Sequence, residues 1–305
     1  MRHWLEFALV RTVAGIVRLL PMSAVRRCGA LLGRLVYLLD RVHRRIALEN
    51  LVQAFPSKPA EERIALARAM FGHFGSLLLE LLKFGSLSEE EILRRVDIDG
   101  EERVRHALEK GRGVLLFTGH FGYWEMHALA HSLRLTPMAV LARPLDNPRL
   151  HRLLETIRTR TGNSVIYRQG AIRKVLRQLA ANHTVALLID QHLHTPDAVY
   201  VDFFRRPAAT TTALAALALR TGAPVIPSFA LPLPHGRYRL VYEHPVDPPR
   251  DDTPEAIREF TQRCTDILEM YVRRHPELWL WMHRRWRDPE PALAGASESL
   301  DEAEI

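Results

Sequence analysis

The chain has 305 residues, of which 47% are hydrophobic and 25% charged, with a formal net charge of +7 and a sequence pI near 9.8. This length and apolar content suffice for one extended α/β domain with a substantial core. Arginine dominates the basic residues, which favours partners rich in phosphate or carboxylate. Two cysteines, Cys28 and Cys264, lie far apart, which excludes a disulfide framework and favours a cytosol-facing location.

The chain begins with an apolar segment, Trp4 to Leu20, that is a candidate membrane anchor. Charged side chains interrupt it and Pro21 ends it, so it offers about 17 residues against the roughly 20 that a transmembrane helix needs. We therefore predict a helix that lies in the membrane interface, with an apolar stripe made of Trp4, Phe7, Val10, Ala14, Val17 and Leu20. No small-residue cleavage site follows the segment, which argues against a signal peptide.

A second apolar segment, from Cys28 to Leu39, is followed by Arg41, Arg44 and Arg45. Guanidinium groups next to an apolar helix are suited to hold anionic lipid headgroups. Residues 1–45 are thus predicted to be amphipathic, membrane-associating helices that precede the main domain at residues 46–288. The alternative is that both segments are ordinary amphipathic helices packed on the core.

Helices and short apolar strands alternate in the rest of the chain. After a long helix at Ala60–Lys83, strands are predicted at 114–117, 138–142, 165–167, 185–189, 225–230 and 238–242. This alternation predicts an α/β fold with a central, mostly parallel sheet flanked by helices. The last two strands flank a hairpin turn at Pro232–Gly236, which makes the sheet mixed. A further helix is predicted at 253–273, and the acidic tail at 289–305 is predicted to be disordered.

A histidine and a carboxylate follow the strand at 114–117. Thr118 and Gly119 break the strand, His120 lies in the turn, and Glu125 falls in the first turns of the next helix. On one continuous helix, residues five apart are separated by roughly 140° and do not face each other, so a pairing requires this strand-to-helix turn. We predict a His–Glu dyad in which His120 takes a proton from a hydroxyl and Glu125 fixes its tautomer.

The segment that carries this pair, Gly119-His-Phe-Gly-Tyr-Trp-Glu125, resembles the GHFGNWE-type signature of the bacterial lipid A late acyltransferases, in the lysophospholipid and glycerolipid acyltransferase superfamily. Other segments match the family pattern in the expected order: Arg143–Pro148, Arg158 with Gly162, Asp190–Gln191, Phe203–Thr210, Thr221–Pro227 and Pro276–Trp286. The resemblance covers most of the chain. It implies a glycerolipid-acyltransferase-like fold and an O-acyltransferase of the lauroyl- or myristoyltransferase type with an H-x4-E motif.

Two positions depart from the family pattern. Arg205 replaces the usual glycine of the FFG element, which bears on the backbone conformation and the charge at that point. Tyr123 replaces the common asparagine between the two dyad residues. Because His120 and Glu125 are both kept, we expect these departures to affect the choice of acceptor or of acyl chain length rather than the reaction itself.

Further candidate site residues lie near the carboxyl ends of the predicted parallel strands, where ligands gather. Arg143 and Asp190 are expected to emerge beside His120 at this edge. Arg143 and Arg158 are candidates for phosphate or acyl-donor contacts, and Arg205 and Arg206 for binding the acceptor. Asp190 is expected to orient an arginine or to cap a turn on this substrate side. An apolar slot for the acyl chain is predicted to be lined by Phe121, Trp124 and Met126.

The resemblance implies the substrates and the place of the reaction. The acyl donor is expected to be a thioester of acyl carrier protein or coenzyme A, and the acceptor a hydroxyl of an anionic lipid A precursor. No cofactor, metal ion or nucleic acid is expected, and the enzyme is expected at the cytoplasmic face of the inner membrane.

Three alternatives remain open. In the first, the acceptor is another glycolipid, such as a phosphatidylinositol mannoside, or a lysophospholipid. A metallohydrolase would use His127 and His131, spaced i and i+4 on one helix, with His120 and Glu125, although an HExxH arrangement is absent. A non-catalytic lipid-binding protein would not depend on His120.

Overall fold

A computed structural model describes residues 1–167, 170–193 and 198–287 of the chain. The strands in these residues are β1 (Val96–Asp99), β2 (Val114–Thr118), β3 (Met138–Leu141), β4 (Ser164–Ile166), β5 (Thr184–Leu188), β6 (Ala198–Phe203), β7 (Arg206–Thr211), β8 (Val225–Leu233) and β9 (Arg237–Tyr242). The α-helices are α1 (Arg2–Leu19), α2 (Met22–Leu39), α3 (Arg41–Ala54), α4 (Ala60–Phe84), α5 (Glu89–Leu93), α6 (Glu101–Leu108), α7 (Trp124–Arg134), α8 (Pro148–Thr159), α9 (Ala171–Ala180), α10 (Ala213–Thr221) and α11 (Pro254–Arg274).

Seven strands form one mixed sheet in the order β1-β9-β8-β2-β5-β3-β4. All neighbouring pairs are parallel except β8 and β9, which run antiparallel. All five side chains of β2 are buried, as expected for a central strand covered on both faces. Strands β6 and β7 form a separate two-stranded hairpin. The predicted α/β class with a mostly parallel, mixed sheet is confirmed.

The six predicted strands correspond to β2, β3, β4, β5, β8 and β9, and the hairpin turn at Pro232–Gly236 is confirmed between the last two. Strand β1 was missed because its sequence, Val-Asp-Ile-Asp, is short and lies at the sheet edge, with partly exposed side chains. Strands β6 and β7 were not predicted either, and β7 is a weak strand pattern because it contains Pro207 and two alanines. Residues 289–305, predicted to form a disordered tail, lie outside the described residues.

Helices α2 and α4 pack with their backbones in contact. A Cβ atom added to Gly33 of α2 would lie 1.9 Å from the carbonyl oxygen of Phe71 in α4. Helix α4 is long and apolar enough to cross a membrane by length and composition, and 44% of its apolar window is buried within the protein. That helix also carries the fully buried carboxylate of Glu80, which pairs with Arg26 of α2.

Helix α1 packs on the core with most of the stripe that the sequence predicted to face the membrane, and only Trp4 of that stripe is exposed. Val17 of the predicted stripe is 3% exposed, and its neighbours Phe7, Val10, Ala14 and Leu20 are partly buried. The outward stripe contains Leu5, Leu9, Ile16 and Leu19, which are 56–85% exposed. The prediction was wrong because both stripes of this helix are apolar, so helical spacing alone does not show which one packs on the core.

Candidate active site

His120 lies in the turn that joins β2 to α7, as predicted. Strand β2 ends at Thr118, and the helix begins at Trp124. Gly119 allows this turn to pass directly over the carboxylate of Asp190, since a Cβ atom at position 119 would lie 2.9 Å from Asp190 Oδ2. Asp190 follows β5, the parallel neighbour of β2, so the carboxyl ends of adjacent strands bring the two residues together.

The His120 ring is oriented by Asp190. His120 Nδ1 lies 2.9 Å from Asp190 Oδ1, and the backbone N–H of His120 donates to Asp190 Oδ2 at 2.7 Å. The buried indole of Trp279 donates to the same Oδ2 at 2.8 Å. Since an ionised carboxylate only accepts, Nδ1 carries the proton of the neutral ring and Nε2 keeps its lone pair. His120 Nε2 lies 3.4 Å from the side-chain nitrogen of Gln191, on the side of the ring that remains partly exposed.

The two groups shift each other's pKa in opposite directions. Burial alone would lower the pKa of His120, but the charge of Asp190 and its hydrogen bond outweigh burial and raise it. Burial would raise the pKa of Asp190, but the charge of His120 and the hydrogen bonds that Asp190 accepts hold it far below its usual range. The arrangement therefore stabilises a protonated imidazole next to an ionised carboxylate.

Glu125 is not the hydrogen-bond partner of His120, so the predicted pairing, in which it fixes the tautomer of the ring, is wrong; its charge only helps to raise the pKa of His120. In the described part of the chain, no hydrogen bond or ion pair joins them. Glu125 instead accepts from Arg158 Nε at 3.0 Å and also from Arg158 Nη2, and it receives the indole N–H of Trp124 at 3.2 Å. Sequence spacing placed Glu125 correctly at the start of α7 but could not show that α8 delivers an arginine to it.

Asp190 was predicted to orient an arginine or to cap a turn. It does accept the backbone N–H of His120 in the β2–α7 turn, but the side chains that it binds are His120 and Trp279 rather than an arginine. Trp279 had no predicted role beyond its place in the matched segment at 276–286. Its indole was not recognised as a functional group because an aromatic run usually indicates core packing.

The other predicted arginines lie apart from this pair. Arg143 follows β3 at the same edge of the sheet and is exposed, without a hydrogen bond or ion pair to any described residue. Arg205 is exposed at the tip of the β6–β7 hairpin, where it adopts a φ of +59°. Arg206 begins β7 and is half-buried, with Nε unpaired. The sequence could not place these three relative to His120, since Arg143 follows β3 while Arg205 and Arg206 lie in the separate β6–β7 hairpin.

A mostly apolar cavity of about 70 Å³ lies beside Glu125 and Arg158. Trp124 lines it, as predicted for an acyl slot, together with side chains of β3 and β5 such as Val140 and Ala186. Phe121 and Met126, the other predicted lining residues, are fully buried in the core and do not line it. They were misassigned because aromatic and thioether side chains at helical spacing fit a core as well as a channel.

His127 and His131, the histidines of the metallohydrolase alternative, belong to a buried polar cluster. His131 Nδ1 lies 2.7 Å from the Tyr242 hydroxyl, and its Nε2 lies 2.9 Å from Thr184 Oγ1, so both ring nitrogens are engaged. Burial lowers the pKa of His127 to about 4, which keeps that ring neutral. Among the described residues, no group of three or more His, Cys, Asp or Glu side chains is arranged to hold a metal ion.

Comparison with known proteins identifies the family of the chain. The family model described as bacterial lipid A biosynthesis acyltransferase matches residues 1–288. The chain is 27% identical to the lipid A biosynthesis lauroyltransferase of Escherichia coli (strain K12), over 94% of this chain and 92% of that protein. It is 26% identical to a phosphatidylinositol mannoside acyltransferase of Mycobacterium tuberculosis (strain ATCC 25618 / H37Rv), over 82% and 78%.

Among solved structures, the chain is similar to the 1-acyl-sn-glycerophosphate acyltransferase PlsC from Thermotoga maritima. The identity is 17% and the TM-score 0.37, over 81% of this chain and 97% of that one. The full-length family match places the Gly119–Glu125 segment and its surrounding sheet in an O-acyltransferase. The chain belongs to the bacterial lipid A biosynthesis acyltransferase family.

Proposed function

We propose that this chain transfers a fatty acyl group from the thioester of acyl carrier protein or coenzyme A to a hydroxyl of a lipid A precursor, with His120 as the general base. The observation that carries the proposal is the His120–Asp190 contact. It leaves an unprotonated Nε2 on the partly exposed side of a ring that is otherwise held by a fully buried carboxylate. A base with this geometry fits proton transfer from an acceptor hydroxyl.

The reaction runs through one tetrahedral intermediate. His120 Nε2 takes the hydroxyl proton while the acceptor oxygen attacks the thioester carbonyl, and Asp190 stabilises the resulting imidazolium. When the intermediate collapses, the carbon–sulfur bond breaks, and the imidazolium returns its proton to the departing thiolate. The products are the acylated lipid and the free thiol, and the acyl thioester is the co-substrate, so no cofactor takes part in a step.

Arg158 is the candidate for stabilising the oxyanion, and Glu125 for positioning it. The carboxylate of Glu125 engages Nε and Nη2 of Arg158, while Nη1 has no hydrogen-bond partner among the described residues. The pair is largely buried, with 20% of the Arg158 side chain and 7% of the Glu125 side chain exposed. A fixed cation with N–H donors left over, held on the same helix start that follows His120, suits the negative charge that develops on the carbonyl oxygen.

The acceptor is part of the proposal, because the relatives named above differ in it. The relatives named above act on lipid A precursors or on phosphatidylinositol mannosides, at nearly equal identity. The wider coverage by the lipid A enzyme, over 94% of this chain, supports a lipid A precursor as the acceptor. Arg143, Arg205 and Arg206 stay candidates for contacts with the anionic substrates.

The exposed apolar surface supports a site at the membrane. Most of the exposed large hydrophobic side chains in the described residues lie within the first 52 residues, on α1, α2 and α3. On α2, Leu31, Leu35, Leu38 and Leu39 are 50–73% exposed. Apolar patches of this kind on a basic protein favour contact with an anionic bilayer. We therefore assign residues 1–45 to membrane contact, at the cytoplasmic face of the inner membrane.

The decisive experiment compares membrane lipids by mass spectrometry with and without the gene, and after complementation with the His120→Ala variant. The intact gene should add one acyl chain to a lipid A precursor, and the variant should not. In purified form, His120→Ala should lose on the order of 10² to 10⁴ in rate with unchanged thermal unfolding. Near-normal turnover by a folded His120→Ala protein would remove the base from the mechanism.

Metal dependence distinguishes the hydrolase alternative. Turnover is expected to continue in the presence of a chelator because every proposed proton transfer uses His120. Activity that disappears with the chelator and returns with zinc would favour a metallohydrolase. The same assay should show no release of free fatty acid in excess of acyl transfer.

A further inference from the structure

A second pocket lies between α3 and the C-terminal segment of the described chain, away from the cavity beside Glu125. It has a volume of about 640 Å³, and four arginines line it: Arg41, Arg45, Arg284 and Arg287. The one carboxylate that lines it, Glu49, is already bound to Arg45 at 2.7 Å. Four guanidinium groups thus meet at an opening that one carboxylate lines, which suits an anionic ligand. We call this the arginine pocket.

Two of these arginines are available to a ligand. Arg41 and Arg284 are exposed and form no hydrogen bond or ion pair with any described residue. By contrast, Arg44, which the sequence grouped with Arg41 and Arg45 as a headgroup ligand, donates to the carbonyl oxygens of Tyr37 and Leu38 and closes the end of α2. Of the three arginines predicted to hold anionic headgroups, only Arg41 and Arg45 line the pocket.

Neutral polar groups in the pocket walls also lack partners. Trp286 Nε1, a donor, and Gln53 Oε1, an acceptor, are buried and unpaired, and both residues line the pocket. A buried polar atom without a partner costs free energy, so a ligand that offers both acceptors and donors would repair two defects at once. A phosphorylated sugar headgroup has this combination, with phosphate oxygens for the arginines and the indole and hydroxyls for the amide oxygen.

Hydrogen bonds connect the segment that lines the pocket to the turn that carries His120. Leu280 N–H donates to the carbonyl oxygen of His120 at 3.0 Å. Asn50 of α3 donates to the carbonyl oxygens of Trp281 and His283 at 2.8 Å, which fixes the same segment against the pocket wall. From Leu280 to Arg284 the chain spans at most about 14 Å. A lipid headgroup held by Arg284 therefore lies within molecular reach of His120.

One edge of the pocket continues into the exposed apolar surface. Val42, which lines the pocket, is 63% exposed, and the adjacent Leu38 and Leu39 at the end of α2 are 61% and 73% exposed. Arginines bordered by exposed leucines match a lipid whose phosphate binds the protein while its acyl chains stay in the bilayer. A soluble thioester donor has no use for such an apolar border.

From these observations we infer that the arginine pocket binds the phosphate of the acceptor lipid and thereby positions its hydroxyl at His120. This inference rests on the proposed function, because it takes the acceptor to be a phosphorylated glycolipid. It adds a site formed by Arg41 and Arg284 and assigns to it the phosphate rather than the acyl chains or the thioester donor.

The test uses the double variant Arg41→Gln/Arg284→Gln and a control of equal charge, Arg173→Gln/Arg258→Gln. The control arginines are exposed on α9 and α11 and have no partner among the described residues. The probes are a phosphorylated, partly acylated glucosamine-disaccharide lipid and the same lipid with its phosphates removed, both in neutral detergent micelles. Steady-state kinetics then give KM for the acceptor and for the donor separately.

The pocket variant should raise KM for the phosphorylated acceptor by about 10- to 100-fold, the usual effect of losing charge-assisted hydrogen bonds. Its kcat, its donor KM and its KM for the dephosphorylated acceptor should match wild type, and the control should match wild type throughout. An unchanged acceptor KM, an equal loss with both acceptors, or a rise in donor KM would each overturn the assignment. A separate measurement of binding to phosphatidylglycerol vesicles tests the other source of phosphate. If the pocket variant lost vesicle binding but kept its acceptor KM, the pocket would bind bulk phospholipid and the assignment would be overturned.

A binding measurement separates failure of the inference from failure of the proposed function. The His120→Ala protein should bind the phosphorylated lipid in micelles, and addition of Arg41→Gln/Arg284→Gln should weaken that binding by the same factor. If wild type transfers no acyl group to either lipid, the proposed function fails, yet this binding difference still decides the pocket. Equal binding by both His120→Ala proteins would show that the arginines do not hold the phosphate.

Discussion

Glu80 and Asp190 are both carboxylates with almost no exposed surface, and each accepts hydrogen bonds from a basic residue and from aromatic side chains. Glu80 receives Arg26 Nε at 2.7 Å and the hydroxyls of Tyr123 and Tyr238. Asp190 receives His120 twice and Trp279. Burial dominates at Glu80 and raises its pKa, whereas at Asp190 the charge of His120 and the hydrogen bonds prevail and lower it.

What separates the two is the partner's remaining capacity. Arg26 also donates to the carbonyl oxygens of Leu233 and Arg237, so it joins α2 to the β8–β9 turn. We call α2, α4 and the Glu80 cluster that links them to this turn the frame. His120 keeps Nε2 on its partly exposed side. A buried ion pair by itself therefore does not mark an active site in this protein. The mark is a reactive atom that the pair leaves open.

The largest expected effect is that of Asp190→Asn on turnover. The asparagine oxygen can replace Oδ2 and accept from Trp279, which leaves the amide N–H₂ facing His120 Nδ1. That contact requires Nδ1 to accept, so the proton moves to Nε2 and the base is lost. A wrong tautomer of this kind should lower kcat by about 10⁴.

Steady-state kinetics on protein with an unchanged circular dichroism spectrum would measure this loss of kcat. Glu125→Gln is the matched comparison, since it removes a carboxylate from the same site without changing the tautomer of His120. A decrease for Asp190→Asn no larger than that for Glu125→Gln would return the orienting role to Glu125.

The pH dependence of turnover should show that Asp190 outweighs burial in setting the pKa of His120. His120 must be neutral to accept a proton, so kcat/KM falls as the pH falls through its pKa. Because Asp190 raises that pKa above the ordinary value of 6.5, the acid limb should have its midpoint above 6.5. Glu125 contributes in the same direction, so Glu125→Gln should move the midpoint to lower pH. A wild-type midpoint below 6.5 would show that burial outweighs the carboxylate.

The opposite behaviour is expected at Glu80. Glu80→Ala leaves the guanidinium of Arg26 without its carboxylate in a largely buried place, which should lower the free energy of unfolding by about 3–5 kcal/mol. Turnover per folded molecule should be unchanged. Urea unfolding measures the loss. The control Glu62→Ala is also on α4 and breaks an exposed pair with Lys58, which precedes the helix, so it should cost at most about 1 kcal/mol. Equal losses would deny the frame role of Glu80.

The Glu80 cluster also explains one departure from the family pattern. Tyr123 stands where the family commonly has asparagine, and its hydroxyl lies 3.3 Å from Glu80 Oε1, with the ring packed edge-on against Tyr238 at 4.8 Å. The substitution therefore belongs to the frame and does not reach the open face of His120. The sequence showed the departure but not its partner, which lies 43 residues away on α4.

The sequence predicted the parts of the molecule that depend on local pattern. Six of the nine described strands, the position of His120 after β2 and the meeting of strand ends at Asp190 follow from periodicity and parallel-sheet geometry. The partners of charged side chains did not follow. Whether Glu125 meets His120 or Arg158 depends on the angle of α8 against α7. Whether Asp190 meets an arginine or His120 depends on the turn that begins at Gly119.

A smaller effect is expected where the frame helices α2 and α4 touch. Gly33→Ala would place a methyl group against the Phe71 carbonyl, so the helices must move apart, at a cost of about 1–3 kcal/mol in the free energy of unfolding. Gly15→Ala on α1, where nothing lies within 4 Å, should instead stabilise by roughly 0.5–1 kcal/mol. Thermal and urea unfolding measure both. If the two variants behaved alike, the close crossing would not contribute to the frame.

The smallest effect is expected at Arg205, where a stability readout and a kinetic readout separate conformation from charge. Phe204 and Arg205 have φ values of +57° and +59° at the tip of the β6–β7 hairpin, as in a turn that favours glycine. Arg205→Gly restores the family residue and should raise the free energy of unfolding by roughly 0.5–1 kcal/mol. Arg205→Lys keeps the charge and should leave stability unchanged. If Arg205 also binds the anionic acceptor, as its charge led us to predict, then Arg205→Gly raises the acceptor KM and Arg205→Lys does not. Equal KM values in all three proteins would withdraw Arg205 from the acceptor site and leave it a conformational departure only.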